Sequence, residues 1–367
     1  MNRFEAFVSL NRVREIGSTR LKRLLEIFGR PENILKVSPC HLSAVSGIGE
    51  KIAHKIHSLK EEDLQREFTF AKKLNLKILT LEDRDYPTNL RYIPDPPIVL
   101  YVKGDIQRED RLAIGIVGSR RATFYGLTQA ERFASELSER GFTIVSGLAR
   151  GIDTYAHKGA LKRKGRTLAI MGSGFKHIYP EENIGLVEDI SESGAVISEF
   201  PLDTLPFKEN FPCRNRVISG LSLGVLVAEA TQTSGALITA NFALEQGREV
   251  FALPGKVDSP NSVGTLSLIK EGAKLVSCVD DILEELNLGT GFRREAVPQP
   301  VRRKNPGLKD AEHLVYSLIS NERILLDDIV EKTNMDISKI SDILLRLQMK
   351  RLVQQLPGKQ FVRINAA

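Results

Sequence analysis

The sequence predicts an α/β protein built on a doubly wound, mostly parallel β-sheet. Short apolar runs recur between residues 111 and 290, and helical segments such as 128–140 and 236–246 separate them. The runs are apolar throughout instead of alternating, which is typical of strands that helices cover on both faces. The predicted strands are Leu112–Val117, Phe142–Val145, Thr167–Met171, Ala195–Ser198, Leu223–Val227, Glu249–Ala252 and Lys274–Val276.

Residues 1–65 are predicted to form a helical domain of the helix-hairpin-helix, or SAM-like, type. In Val45–Ile56, Gly47 and Gly49 permit a tight turn ahead of a helix, whose first backbone N–H groups can face a phosphate. Val13–Gly17 resembles a shorter copy of this turn. A plain helical turn with packing glycines, without nucleic-acid contact, is the alternative that the residues leave open.

Residues 66–110 are predicted to be a connector. It contains two short strand-like runs, 74–81 and 98–102, and prolines that exclude a continuous helix. Residues 111–290 form the predicted sheet domain. Residues 291–306 are predicted to be a basic linker that contains prolines. The chain is therefore expected to have a helical head, a sheet domain and a separate tail.

Residues 307–367 are predicted to form a winged-helix domain of three helices and a β-hairpin. The third helix carries Lys339, Arg346 and Lys350, but Asp342 interrupts this basic face. A winged helix usually contacts DNA, and contact with a protein is the alternative because the domain has little net positive charge. The predicted helices are 310–319, 326–333 and 338–350, and the predicted strands are 352–356 and 361–364.

The formal net charge of +6 does not locate a binding surface. Residues 61–290 carry 27 basic and 32 acidic side chains, whereas the excess of positive charge lies in residues 1–60 and 291–304. A site for a polyanion in the sheet domain must therefore be a local cluster of cations and not a broad basic surface.

The remaining composition excludes several classes of protein. The three cysteines, Cys40, Cys213 and Cys278, are far apart and form no C-x-x-C pair, which argues against a zinc ribbon or a disulfide scaffold. No apolar run approaches the roughly 18 residues of a membrane span, and the N-terminus has no signal core. We expect a cytoplasmic protein with no membrane partner.

Two glycine-containing loops follow the first two strands of the sheet domain. In the first, Gly118 lets the backbone turn, and Ser119 and the backbone amides can bind phosphate oxygens. Its two arginines add fork-shaped donors that suit phosphate. In the second, glycines keep the backbone open beside Arg150. The candidate site residues of these loops are Gly118, Ser119, Arg120, Arg121, Ser146, Gly147, Arg150 and Gly151.

Two further loops add candidates for the same edge of the sheet. Lys176 can reach a phosphate, and Phe175 or Tyr179 can stack on a base, with core packing as the alternative for each ring. Arg214 and Arg216 lie beside an apolar helix, where an unpaired arginine is costly to bury, so a bound anion is the predicted partner. Glu199 or Glu229 is the alternative, internal partner for one of the two arginines. The candidate site residues here are Gly174, Phe175, Lys176, Arg214, Asn215, Arg216, Thr233, Ser234 and Gly235.

The residues of these loops are typical of a site that binds a ligand with several phosphate groups, and not of a catalytic centre. They supply no evident nucleophile, base and acid, and no cluster of metal ligands. Asp153 and His157 are spaced to share a helix face, and an internal hydrogen bond that fixes the loop is favoured over a catalytic pair. The sequence therefore predicts binding without catalytic residues, metal or cofactor.

The motifs of these loops closely resemble those of the DNA-processing protein DprA (Smf) family. They occur in the order of that family and extend over nearly the whole chain. The motifs are Gly118-Ser-Arg, Ser146-Gly-x-Ala-x-Gly-Ile-Asp-x-x-Ala-His, Tyr179-Pro-x-x-Asn, Ser198-Glu-Phe-Pro, Phe211-Pro-x-Arg-Asn-Arg, Thr233-Ser-Gly-Ala-Leu-Ile-Thr and Leu253-Pro-Gly.

The resemblance implies an extended Rossmann-like fold that binds single-stranded DNA, protects incoming DNA and loads the RecA recombinase during natural transformation. It also implies a homodimer formed through the sheet domain. Arg120 matches the arginine of the family that contacts phosphate. The family also uses a lysine near the Tyr-Pro-x-x-Asn motif. Here no lysine directly follows Asn183, and Lys176 is the candidate replacement.

Two other functions remain as alternatives. Enzymes of the related Lonely-guy class cleave the glycosidic bond of nucleoside monophosphates and use a Pro-Gly-Gly-x-Gly-Thr-x-x-Glu loop. The nearest segment here, Thr233–Thr239, lacks that glutamate, so a nucleoside monophosphate phosphoribohydrolase is the less favoured reading. A transcription regulator that uses the winged helix would bind duplex DNA with sequence specificity.

Overall fold

The computed structural model describes residues 1–287, 308, 310–320, 323–350 and 352–363. The chain divides into two compact units, which we describe separately. The larger contains the helical head and the main sheet, and the smaller contains the C-terminal elements. The predicted linker, 291–306, lies outside the described residues.

Short helices form the N-terminal head, as the sequence predicts. Apolar side chains of the first, second and fifth helices are buried against one another in a single core. The two predicted hairpins lie before the second and fifth helices, and Gly17 and Gly49 cap the N-termini of these helices. The helices are α1 (Arg3–Asn11), α2 (Ser18–Phe28), α3 (Pro31–Ile34), α4 (Pro39–Ser43), α5 (Glu50–His57) and α6 (Glu61–Lys73).

A nine-stranded sheet forms the centre of the larger unit. Its order is β1-β2-β6-β5-β4-β3-β7-β8-β9, with the strands from β6 to β9 parallel and β2 antiparallel to both its neighbours. The strands are β1 (Lys77–Thr80), β2 (Val99–Gly104), β3 (Ala113–Val117), β4 (Thr143–Ser146), β5 (Thr167–Ile170), β6 (Ala195–Ser198), β7 (Gly224–Val227), β8 (Glu249–Ala252) and β9 (Lys274–Leu275). The predicted fold class is confirmed. β1 and β2 come from the segment predicted as a connector and extend the sheet.

Helices cover both faces of the sheet, which explains why its strands are apolar throughout. On one face, Ile114 and Ile116 of β3 are buried with Phe133, and on the other Val225 and Val227 of β7 are buried with residues from two later helices. The helices of this part are α7 (Thr88–Arg91), α8 (Phe124–Glu139), α9 (Ile152–Lys162), α10 (Ile184–Ser193), α11 (Asn210–Leu221), α12 (Gly235–Glu245), α13 (Val263–Lys270) and α14 (Val279–Glu285).

The order of the strands reverses at β3. From β3 the chain adds β4, β5 and β6 on one side, and it then crosses to add β7, β8 and β9 on the other. The loops that leave β3 and β7 therefore diverge, and the loop after β3 lies where the strand order reverses, at the edge of the sheet formed by the carboxyl ends of the parallel strands.

The smaller unit is a winged helix, as predicted. Its helices pack on a three-stranded antiparallel sheet of order β10-β12-β11, around buried side chains that include Val315, Ile340 and Leu347. The short β10 was not predicted. The elements are α15 (Asp310–Leu318), β10 (Ile324–Leu325), α16 (Leu326–Thr333), α17 (Ile337–Met349), β11 (Val353–Leu356) and β12 (Gln360–Arg363).

Among the described residues, no helix combines the length and the apolar character needed to cross a lipid bilayer.

Candidate nucleic-acid interface

A cavity of about 200 Å³ lies at the carboxyl ends of β3, β4 and β5, beside the first turn of α11. Parallel strands end at the same edge of a sheet, so the loops that follow them meet there. Three arginines and two aromatic rings form much of the wall, which makes the cavity cationic and partly aromatic. The lining residues are Arg120, Arg121, Gly147, Ala149, Arg150, Tyr179, Pro180 and Phe211.

The loop after β3 is held by its own backbone and presents two arginines. The Ser119 N–H donates to the Glu229 carbonyl at 2.8 Å, and the Ser119 hydroxyl accepts from the Arg121 N–H at 3.1 Å. A Cβ at Gly118 would lie 2.6 Å from the Ile152 side chain, so this close approach requires glycine. The guanidinium groups of Arg120 and Arg121 consequently project from a rigid turn, and both residues are exposed.

An aromatic wall faces these cations. The Arg120 guanidinium lies over the Phe211 ring, 4.9 Å from its centroid. The Tyr179 ring is tilted against the Phe211 ring, with a distance of 5.8 Å between centroids. A cation and two rings at one cavity can bind the phosphate and the base face of the same nucleotide.

The loop after β4 is fixed from below by a buried carboxylate. Asp153 accepts from the backbone N–H groups of Gly147 and Ala149, at 3.1 and 3.4 Å. Burial raises the pKa of Asp153, and the nearby Arg214 cation opposes that rise. The structure thus supports the interpretation of Asp153 as a residue that fixes the loop.

His157 does not pair with Asp153. Its Nδ1 lies 2.7 Å from the Thr167 hydroxyl, which itself donates to the Ile144 carbonyl, so His157 Nδ1–H is the donor in this pair. The side chain is fully buried, and desolvation lowers its pKa to about 3. His157 is therefore a neutral residue of the core.

Arg214 lies beneath the cavity and not in its lining. Its guanidinium donates to the carbonyl oxygens of Gly147 and Ile170. Burial lowers its pKa to about 10, although the Asp153 carboxylate favours the charged form. A Cβ at Gly147 would collide with this guanidinium, so glycine lets the loop rest directly on it. Arg214 supports the loop from a buried position and does not line the cavity, which corrects the sequence-based expectation that it lies at the site.

The neighbouring candidates on the fourth loop also make internal contacts. Arg216 is mostly buried and is paired with Glu199, with Asp95 3.5 Å from its Nε. This is the internal partner that the sequence left as an alternative. Asn215 donates to the Gly235 carbonyl at 3.1 Å. Arg216 and Asn215 do not line the cavity, which corrects the prediction that they lie at the site.

The remaining candidates on the later loops lie outside the cavity lining. Phe175 is only 5% exposed and belongs to the hydrophobic core, so its ring cannot stack on a base as predicted. The Lys176 ammonium lies over the Phe70 ring of α6, at 4.5 Å. Ser234 caps α12 by accepting from a backbone N–H. The others in this group are Gly174, Thr233 and Gly235.

Five residues that the sequence offered as candidates line the cavity, namely Arg120, Arg121, Gly147, Arg150 and, as a candidate stacking ring, Tyr179. Gly118, Ser119 and Gly151 belong to the same two loops and Ser146 is the last residue of β4, but none of the four lines the cavity. Sequence reasoning missed Ala149, Pro180 and Phe211. For Phe211 a signal existed, since an aromatic residue precedes the Pro-x-Arg-Asn-Arg motif, at the start of the helix that supplies Arg214.

Arg150 stands at the mouth of the cavity in an exposed ion pair with Glu182. Its hydrogen bonds lower the pKa of the Glu182 carboxyl, so this carboxylate is charged at neutral pH. One of the three lining cations is therefore already paired inside the chain.

The two hairpins of the helical head differ in accessibility. At the first, the Ser18 hydroxyl donates to Asp95 at 2.7 Å, and the same carboxylate lies against Gly17. At the second, a Cβ on Gly49 would meet nothing within 4 Å. The Asp95 carboxylate thus occupies the N-terminus of α2 at the first hairpin, whereas the N-terminus of α5 at the second hairpin is accessible.

The basic residues of the winged helix are partly neutralised within the described residues of that unit. Lys350 pairs with Glu312 at 2.8 Å, and Arg346 pairs with Asp342 at 2.8 Å. These contacts weaken the case for a duplex-binding face on α17.

Comparison with known proteins gives three family matches along the chain. The family model described as DNA recombination-mediator protein A matches residues 77–287. A DprA winged helix domain matches residues 299–359, and a SAM-like helix-hairpin-helix tandem matches residues 7–58.

Individual relatives agree with these matches. Protein Smf of Synechocystis is 35% identical over 97% of this chain and 98% of its own length. The X-ray structure of DNA processing protein A from Streptococcus pneumoniae superimposes with a TM-score of 0.68 at 34% identity, covering 78% of this chain and 98% of the other. A structure that concerns the single-stranded DNA binding mode of DNA processing protein A from Helicobacter pylori has a TM-score of 0.52 at 31% identity, covering 58% and 96%.

Proposed function

The chain belongs to the DNA recombination-mediator protein A family, also called DprA or Smf, and on this premise we propose that it is a single-stranded DNA-binding recombination mediator. The cavity at the carboxyl ends of β3, β4 and β5 holds one nucleotide of the bound strand. Arg120 and Arg121 bind its phosphate, and the base stacks against the wall formed by Tyr179 and Phe211.

Guanidinium groups and aromatic rings lie together at one small cavity, and this observation carries the proposal. A volume of about 200 Å³ is below the roughly 300–1,000 Å³ of pockets that enclose drug-sized ligands, so the cavity suits a short part of a longer strand better than an enclosed small molecule. Bases in a duplex are stacked on their neighbours, whereas an unpaired base can turn its face to an aromatic side chain. Cations and aromatic rings in one cavity therefore favour the binding of single-stranded over duplex DNA, without a preference for a particular base.

The proposal is one of binding without turnover. The lining residues include three arginines but no aspartate or glutamate. A phosphoribohydrolase of the Lonely-guy class would need a carboxylate directed at the sugar. The composition of the lining therefore supports a binding protein over that enzyme.

We extend the proposal to two macromolecular partners, on the strength of the family. The bound strand is protected and transferred to a RecA recombinase, as in natural transformation, and the chain acts as a homodimer joined through the sheet domain. β9 supports the second point, because it ends the sheet and its Leu275 is 45% exposed. An exposed edge strand can pair with that of a second copy.

The experiment that tests the function is a fluorescence anisotropy titration with a labelled oligonucleotide, single-stranded or as a duplex, at two salt concentrations. The proposal expects tighter binding of the single strand and a salt dependence that reports phosphate contacts. Equal affinity for the duplex would contradict it. Adding the host recombinase and measuring filament formation tests the transfer step, and light scattering tests the dimer.

A further inference from the structure

At the mouth of the cavity, one arginine is held by a carboxylate of the same chain. Arg150 donates from Nε and Nη2 to the two carboxylate oxygens of Glu182, at 2.5 and 2.6 Å. Both side chains are about half exposed, so the pair is in contact with water. Within the part of the chain that the structure describes, no carboxylate forms an ion pair with Arg120 or Arg121. The three cations of the cavity are therefore not equivalent.

Glu182 does not depend on this ion pair for its position. It lies in a short 3-10 helix, Glu181–Asn183, directly after the aromatic side of the cavity. The buried Asn183 side chain anchors that helix by donating to the Leu148 carbonyl at 2.8 Å and to the Thr154 hydroxyl at 3.0 Å. These bonds tie the segment to the loop after β4 and the start of α9, so the backbone at Glu182 stays beside Arg150 when the ion pair is broken.

The carboxylate uses the same donors that a phosphodiester would use. A guanidinium presents a planar fork that matches a carboxylate or a phosphate, but it cannot bind both at once through the same two N–H groups. Exposed ion pairs contribute little to stability, so a phosphate can displace Glu182 from Arg150. The displaced carboxylate stays close because its segment is anchored, and its negative charge opposes the incoming strand.

We propose that Glu182 limits the affinity of the cavity for single-stranded DNA. In the free protein it holds the Arg150 fork, and Arg150 becomes a ligand of the strand only where a phosphodiester displaces this carboxylate. Arg120 and Arg121 make the first phosphate contacts. The inference rests on the proposed function, since it assigns Glu182 to the same cavity. Its consequence is that the strand is held with one cation fewer than the cavity contains, which favours its release.

The test compares Glu182→Gln with Glu181→Gln in the full-length chain. Both substitutions remove one negative charge from neighbouring exposed glutamates, but only the first removes the carboxylate that pairs with Arg150. We expect Glu182→Gln to bind a single-stranded oligonucleotide about 5- to 20-fold more tightly at 0.1 M salt. The log–log salt slope should become steeper by about 0.7, the value for one added phosphate contact on a single strand. Glu181→Gln should change the affinity by less than about twofold and leave the slope unchanged, because among the described residues Glu181 forms no ion pair with an arginine of the cavity and its removal frees no guanidinium fork.

A double substitution, Glu182→Gln with Arg150→Gln, shows whether Arg150 carries the gain. We expect it to abolish both the tighter binding and the steeper slope. Tight binding that survives in the double variant would overturn the inference, and so would equal behaviour of Glu182→Gln and Glu181→Gln in a wild-type background that does bind DNA. A wild-type chain that fails to bind the single strand would instead overturn the proposed function, and the inference with it. Unchanged melting temperatures of both single variants would show that the difference in affinity does not come from a change in folding.

Discussion

Replacing Arg120 by glutamine should weaken binding of single-stranded DNA without unfolding the protein. Arg120 is exposed, and its guanidinium lies over the Phe211 ring at the cavity. No described carboxylate pairs with it, so its removal leaves no uncompensated charge inside the chain. We therefore expect a change of at most about 0.5 kcal/mol in the free energy of unfolding, as for most surface substitutions.

The loss of affinity follows from the phosphate contact. A hydrogen bond to a charged group contributes about 1.5–3 kcal/mol, which corresponds to a roughly 10- to 150-fold change in the dissociation constant. Losing one phosphate contact should also reduce the log–log salt slope by about 0.7. Anisotropy titrations at three or more salt concentrations measure both quantities.

The matched control is Arg111→Gln. Arg111 is also exposed and immediately precedes Leu112 and β3, so the same charge is removed at the opposite end of the strand from the cavity. Its effect should stay within about twofold because screened charges at that distance contribute little. If Arg120→Gln and Arg111→Gln lose affinity equally, or if Arg120→Gln retains the wild-type affinity and slope, the assignment of the cavity as the phosphate site is refuted.

Three further outcomes follow. Phe211→Ala should weaken single-strand binding by about 1–3 kcal/mol with an unchanged salt slope, since stacking involves no counterion release; a reduced slope would contradict this. Deleting residues 305–367 should leave most single-strand affinity intact, and loss of nearly all binding would place the site on the winged helix. His157 has a folded-state pKa of about 3, below its unfolded value of about 6.5, so its stabilising contribution is present above pH 6.5 and is lost as the pH falls towards 3. Relative to His157→Gln, the wild type should lose about 2 kcal/mol of unfolding free energy between pH 7 and pH 5 in chemical denaturation, and a constant difference would contradict the neutral, buried assignment.

The sheet could be predicted from the sequence because burial on both faces makes each parallel strand a continuous apolar run. All seven strands expected between residues 111 and 290 are present. β1 and β2 were assigned to a connector because prolines lie between them. In the structure they extend one side of the sheet by antiparallel pairing, whereas the sequence predicted parallel strands joined by helices. α6 was not separated from that connector, although its acidic first turn and basic last turn suit the helix dipole.

The site could be predicted only in part, because loop position does not determine the direction of a side chain. Placing arginines after strands predicted positions for Arg120, Arg121 and Arg150 that lie in the lining of the cavity, and their contact with DNA stays a prediction. The same reasoning failed for Arg214, whose helix directs it under the β4 loop to two carbonyl groups. It also named Phe175 or Tyr179 as a stacking ring and did not consider Phe211, since the tertiary packing that buries Phe175 and places Phe211 at the cavity is not encoded in local sequence.

The most direct test of the account is ultraviolet crosslinking of the full-length chain to a single-stranded oligonucleotide that carries photoreactive bases, followed by mass spectrometry of the crosslinked peptides. Crosslinked bases should lie on the peptides that contain Tyr179 and Phe211, and the yield should fall in Arg120→Gln. Crosslinks confined to α17 or to the hairpin at Gly49, with none on the cavity, would contradict the central claim that this cavity holds the strand.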